Sequence, residues 1–398
     1  MTLERFLDHV VLIGFIVIFS VFNVAAGMNW SSVVLLVLLF WVSICLLLRD
    51  CNIGGLRNIT LLHFYVITFG MFCFLSVLWA INVDFALDRS ISLFKRFGIL
   101  FILCWYCHKK NSIKDLLQII MFSNCIIMLV VIWAYGWETV IMLLNFNIRV
   151  DNDLLNANTL GMGAAYSSII GLYYAYYEKK ILNIFIILPT VAMVALSGSK
   201  KAGIILGVGI FFLIFLKNLS RGISKVSFSK VIISVFAISA ILFMMFNMPF
   251  FENLTDRFTL MMNIFSNEYA GSSTEDRYAM MLLGLDIFEE YPLLGVGIDN
   301  ALLYNPPRYD YLHSNPFELL ADIGIVGVCV YYWIYILIAY RFVKYGDFSS
   351  NEYIISLTLF CIFLPMNVAY VTYSEMTTYL FLALFYYESV LLKGNKEG

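Results

Sequence analysis

Apolar runs of about twenty residues follow one another along almost the whole chain, and no other feature limits its fold as much. A run of that length spans the roughly 30 Å hydrocarbon core of a bilayer as a helix, which satisfies its own backbone donors and acceptors. The runs fall at 6–26, 31–48, 61–81, 90–107, 116–135, 158–177, 181–197, 202–217, 231–250, 316–340, 353–372 and 376–392. Composition agrees: 62% of the 398 residues are hydrophobic and only 13% are charged, too few polar groups to cover a water-soluble globule. The sequence therefore predicts an all-α polytopic membrane protein, a single integral membrane domain over 1–398 with about twelve transmembrane helices. The first run leads at once into the second and shows no cleavable signal-peptide pattern, so it reads as a helix.

Lysine and arginine give the orientation. With the N-terminus inside, the inner segments carry Arg5, Arg49, Arg57, Lys109, Lys110, Lys114, Lys179, Lys180, Lys217, Arg221, Lys225, Lys230, Arg341, Lys344, Lys393 and Lys396. That is most of the basic residues, as the positive-inside rule requires, and it predicts two cytoplasmic termini. A formal net charge of -2 gives no reason to expect a nucleic-acid partner. Seven of the eight cysteines lie in or at the ends of apolar runs, and Cys51 is in a short loop. Cys104 and Cys107 form a C-x-x-C inside an apolar segment with no partner motif, which favours buried thiols over redox or metal chemistry.

Cations on the other side break the pattern. Arg89, Arg149, Lys200, Lys201, Arg257, Arg277 and Arg308 are expected outside, and Lys95 and Arg96 in the outer half of the fourth span. Two readings stay open: ion pairs with the many outer acids, or an anionic ligand held at the membrane. The outer segments that stand out are 136–157, the tight turn Ser197–Lys201, and a long polar loop, 251–315, between the ninth and tenth spans.

Within that loop, His313 is the one histidine of four expected outside. It precedes Asn315, Pro316 and Glu318, which suit the cap, first and third positions of a helix. A helix N-terminus disfavours a second proton on the ring, so a neutral imidazole there can serve as general base. A structural, hydrogen-bonded histidine is the alternative. Arg277 opens an amphipathic stretch closed by Pro292, read as an interfacial helix; its guanidinium suits phosphate, or it anchors to headgroups or pairs with Glu275 or Asp276. Lys200, in a turn made tight by Gly198, is a diphosphate candidate, whereas Lys201 can also snorkel. Arg149, ahead of Asn156-Ala157-Asn158, is a similar candidate. Asp151-Asn152-Asp153 has no metal-binding partner, and Gly295-Val296-Gly297 lacks a dinucleotide-binding context.

The order of these pieces resembles the O-antigen polymerase/ligase superfamily of polytopic membrane glycosyltransferases. The pieces are Asn156-Ala157-Asn158, Ser197-Gly198-Ser199-Lys200-Lys201-Ala202, Asp276-Arg277, Tyr291-Pro292-Leu293-Leu294-Gly295-Val296-Gly297, and the run from His313 to Gly327. The resemblance implies a large periplasmic loop over the active site and a substrate linked to undecaprenyl diphosphate. It also implies transfer at the periplasmic face of the bacterial inner membrane, without nucleotide sugar, metal or other cofactor. It carries catalytic roles onto His313, Arg277 and Lys200, the last standing where many members have Arg. Arg149, Asn158, Lys201, Asp299, Arg308, Tyr311 and Glu318 are then expected to bind substrate, and a chain-length regulator protein is a further expected partner. Polymerase is the preferred reading and O-antigen ligase its runner-up. A transporter of the same lipid would place charges within its spans and show repeats between halves.

Overall fold

The computed structural model describes residues 3–24, 31–50, 60–145, 156–219, 272–304 and 311–397. They form helices α1 (Leu3–Val24), α2 (Ser31–Asp50), α3 (Leu61–Leu75), α4 (Val83–Cys107), α5 (Lys114–Tyr135), α6 (Trp137–Asn145), α7 (Ala157–Leu172), α8 (Ile184–Ser197) and α9 (Lys200–Leu219). After them come α10 (Ser272–Glu290), α11 (Asn315–Tyr345), α12 (Asn351–Ala369) and α13 (Met376–Glu397). Among the described residues there is no strand, and eight helices are long and apolar enough to cross a membrane. These are α1 to α5, α9, α11 and α12. The runs expected at 158–177, 181–197 and 376–392 are also helical, the first ending in a π-turn over Tyr173–Tyr177. The run at 231–250 lies outside the described residues. The chain is an all-α, multi-pass membrane protein.

It divides into two compact units, one of Met1–Val42, Ser112–Tyr269 and Gly346–Ile362, the other of Ser43–Asn111, Ala270–Tyr345 and Phe363–Gly398. In the first, α7 is the central helix, with α5, α8 and α9 packed on it. Its sequence explains why: Gly161, Gly163, Ala164, Ala165, Ser167 and Ser168 are all buried. Lipid gives helices no hydrophobic reason to associate, so small residues that allow backbones to approach supply the contact. A Cβ on Gly163 would run into Asn124 of α5, and one on Gly209 of α9 into Ile169. At one end of this unit Lys114 pairs with Glu178 at 3.0 Å, and Glu352 accepts from the Ser112 hydroxyl at 2.9 Å.

In the second unit α11 packs against α3, α10 and α13, and α4 against α3 and α13. Aromatic rings fill the centre: Phe69 meets Tyr331 at 5.1 Å and Phe97 meets Tyr379 at 5.3 Å between centroids. Two differences from the expected runs bear on the site. α4 starts at Val83 rather than at 90, because the Asn82 side chain caps it by accepting from the N–H groups of Asp84 and Phe85. Arg89 therefore stands on a helix. The run expected at 316–340 extends over Asn315–Tyr345 and is broken at Gly324, whose φ of 64° and ψ of -173° belong to no helix.

Candidate active site

The break in α11 is where the site begins. A broken helix leaves carbonyls and N–H groups without intrahelical partners. Here the loop after α10 fills them. Val296 and Gly297 donate to the carbonyls of Ala321 and Asp322 at 3.0 and 2.8 Å. Ile325 and Val326 donate back to the carbonyls of Pro292 and Leu293 at 3.0 and 3.3 Å. Glycine is required on both sides. Gly295 and Gly324 have positive φ, and a Cβ on either would strike the other segment's backbone. The Pro-Leu-Leu-Gly-Val-Gly stretch and the Ala-Asp-Ile-Gly stretch are thus two halves of one clasp.

The clasp sets three ionisable side chains, Asp322, Asp299 and Arg89. The buried Asp322 carboxylate accepts from the consecutive N–H groups of Asp299, Asn300 and Ala301 at 2.9, 3.1 and 2.8 Å. Asn300 ties the same turn to the start of α4, accepting from Asn82 N–H at 2.6 Å and donating to its carbonyl. Ile298 N–H donates to Ser76 Oγ at 3.0 Å. Held this way, Asp299 adopts a φ of 62°, rare for a residue with a Cβ, and its Oδ1 receives Arg89 Nη2 at 2.7 Å. The buried Arg89 Nε has no hydrogen-bond partner among the described residues. For Arg89, then, the ion-pair reading holds. The sequence expected Asp299 to meet substrate; its carboxylate is engaged by Arg89.

His313 lies just before α11, half-buried, with a φ of 61°. Its ring meets Tyr311 edge-on at 4.2 Å between centroids. The expected capping box is rearranged. The Ser314 carbonyl, not Asn315, accepts the first helical bond, from Glu318 N–H at 3.0 Å. Asn315 Oδ1 instead accepts from the N–H groups of Thr372 and Tyr373 at 2.9 and 2.7 Å, fixing the turn before α13. Glu318 is 4% exposed, and its Oε2 accepts from Leu312 N–H at 2.9 Å. That carboxylate thus has an internal partner rather than an open face. Burial pushes the Tyr373 phenol well above its usual range, against the pull of Arg89, so it stays a neutral hydroxyl.

Arg277 lies half-buried on α10. Positions 277, 280, 284 and 287 form one helical face. Met280 and Ile287 are buried in a cluster with Leu312, and Gly284 abuts Leu312 and Phe317. The stripe that carries Arg277 is therefore the one laid against the His313 segment.

Asn158, Lys200 and Lys201 belong to the first unit. Asn156 caps α7 by accepting from Asn158 N–H at 2.8 Å. Gly198, with a φ of 56°, closes α8, and Ser199 opens α9, its Oγ accepting from Ala202 N–H at 3.4 Å. Gly161 abuts Ser197 and Ala202, so the N-termini of α7 and α9 meet, with Lys200 half-buried and Lys201 buried at the start of α9. Two helix N-termini and two ammonium groups make a positive locus suited to an anion. Arg149 and Arg308 lie outside the described residues.

Sequence reasoning missed Arg89, Asp322, Asn315 and Tyr373 as parts of this construction. Arg89 was visible as a wrong-side cation, and Asp322 and Asn315 stood inside the last motif. Nothing in the sequence paired them with their partners.

Residues 182–332 match the family model Wzy_C, described as O-antigen ligase. No curated protein matches the chain. The matched stretch takes in Lys200, Arg277, both halves of the clasp and His313. The match over residues 182–332 of this multi-pass membrane protein is consistent with the O-antigen polymerase/ligase superfamily, whose members are membrane glycosyltransferase-like enzymes acting on lipid-linked glycans.

Proposed function

We propose that this protein is an O-antigen polymerase of the bacterial inner membrane, with both termini cytoplasmic and its chemistry at the periplasmic face. The donor is an undecaprenyl-diphosphate-linked oligosaccharide, and the acceptor is the non-reducing sugar of a second lipid-linked repeat unit. His313 takes the proton from the attacking hydroxyl as that oxygen bonds to the donor's C1. The C1–O bond to the diphosphate breaks, and its electron pair leaves with undecaprenyl diphosphate. Arg277 and Lys200, with Arg149, neutralise the departing charge, a task cations perform without a metal. Asn158, Lys201, Arg308 and Tyr311 serve in substrate binding, Tyr311 offering a ring face to a sugar. A chain-length regulator protein is the expected partner.

The observation that carries this reading is the setting of His313, held at positive φ between a helix start and the α10 stripe that bears Arg277. The orientation follows from the lysine and arginine count. The description of the matched family favours one other reading, an O-antigen ligase with lipid A–core as acceptor. The lipopolysaccharide ladder of cells lacking the protein separates them. Core plus one repeat unit means polymerase, loss of every repeat means ligase, and an unchanged ladder overturns both. Rescue by His313→Ala, at equal membrane abundance, would remove His313 from the mechanism.

A further inference from the structure

Glu318 holds both neighbours of His313. Its backbone N–H donates to the Ser314 carbonyl at 3.0 Å, and its Oε2 accepts from Leu312 N–H at 2.9 Å. The residue before the histidine and the residue after it are therefore tied to one residue on the first turn of α11, Leu312 through its side chain and Ser314 through its backbone. Leu312 is fully buried against Met280 and Ile287 of α10, and Ser314 is fully buried as well. His313 alone in this stretch takes a φ of 61°, a conformation that is unfavourable for an L-residue. Such strain persists only where its surroundings over-determine it. A carboxylate buried to this degree on an apolar helix is costly unless it is hydrogen-bonded, and ionisable residues at such positions mark functional sites. The two observations explain each other.

We propose that Glu318 is the positioning residue for His313: it closes a bracket around the histidine and fixes where the imidazole stands. This rests on the reading of His313 as base for its consequence in catalysis, but the bracket exists independently of it. The role belongs to the acceptor oxygen and its reach, not to charge. Glutamine keeps both, alanine keeps neither, and aspartate keeps the charge but withdraws the oxygen by one methylene.

The test uses the full-length protein, with histidine ring nitrogens labelled for magnetic resonance in nanodiscs and His313 assigned by its loss in His313→Ala. Repeat-unit ladders in cells, at equal membrane abundance, give the second readout. Glu318→Gln is expected to leave the His313 resonance and the ladder as in wild type. Glu318→Ala and Glu318→Asp should both move the resonance and reduce polymerisation on the order of 100-fold, the loss that a misplacement of about 1 Å can cause. If Glu318→Ala fails to reach the membrane, Glu318→Asp carries the comparison. An unmoved His313 resonance in Glu318→Asp overturns the bracket, and so does a ladder lost in Glu318→Gln with the resonance unchanged, which would assign the charge to substrate instead. A moved resonance in Glu318→Asp together with a full ladder in His313→Ala leaves the bracket standing and removes the base.

Discussion

At Asp322 a single buried carboxylate accepts from three successive backbone N–H groups, and through them sets the Asp299–Arg89 pair. A carboxylate can accept on both oxygens at once, which alanine cannot do and an asparagine amide does only on one side. Each buried donor left without an acceptor costs about 1–3 kcal/mol. Asp322→Ala is therefore expected to destabilise the protein by several kcal/mol, on the order of 3 or more, with Asp322→Asn intermediate. Thermal unfolding in detergent, followed by fluorescence-detected size exclusion, measures the order; equal melting of Asp322→Ala and wild type would contradict it. This was the least legible scale. His313 and Arg277 drew attention because a histidine and an arginine in a polar loop are few and chemically distinctive. Asp322 reads in the sequence as one acid in an apolar run, and its meaning lies in donors more than twenty residues away. Asn315 shows the same limit: its spacing fits a helix cap, yet its side chain answers a turn near 372, which no local pattern encodes.

α11 is two helical pieces joined at Gly324. The combination of a φ of 64° and a ψ of -173° is open in practice to glycine alone. A methyl group there meets Leu293 backbone as well, and neither chain can give way without losing the clasp bonds. Gly324→Ala should cost on the order of 3 kcal/mol in backbone strain, before the steric clash is added. The expected outcome is a large drop in membrane-inserted, monodisperse protein relative to Ala321→Gly, a nearby change without that constraint. Comparable yields of the two variants would count against the clasp. The glycines of both segments were plain in the sequence, and their order carried the family resemblance. That they need each other was not, because two short motifs separated by some thirty residues give no sign of which carbonyl meets which N–H. α4 was misjudged for a related reason. Asp84, Asp88 and Arg89 lower the hydropathy of its first turns, so an apolar window starts too late, whereas the Asn82 cap begins the helix at Val83.

On the scale of the whole chain, hydropathy was a sound guide, because each span buries its backbone within itself and needs no distant partner to declare its kind. The break in α11 has a consequence for the bilayer around it. An unbroken helix over Asn315–Tyr345, 31 residues long, would reach about 46 Å, well beyond a hydrocarbon core of about 30 Å. The piece from Gly324 to Tyr345 measures about 33 Å, close to that core. With the Gly324–Tyr345 piece laid across that core, the glycine falls near the level where acyl chains give way to headgroups, and the piece bearing Glu318 stands beyond it. A mismatch in membrane thickness, which most spans absorb by tilting, would here be delivered to the joint at Gly324, and through the short helical piece from Asn315 to the segment that carries His313. Acyl-chain length should then act as a regulator. Protein reconstituted in di-C14, di-C18 and di-C22 phosphatidylcholine is expected to polymerise best at the intermediate thickness. The His313 resonance should move at either extreme while the helix content by circular dichroism stays constant; a flat response across the three lipids would show that the joint does not feel the membrane.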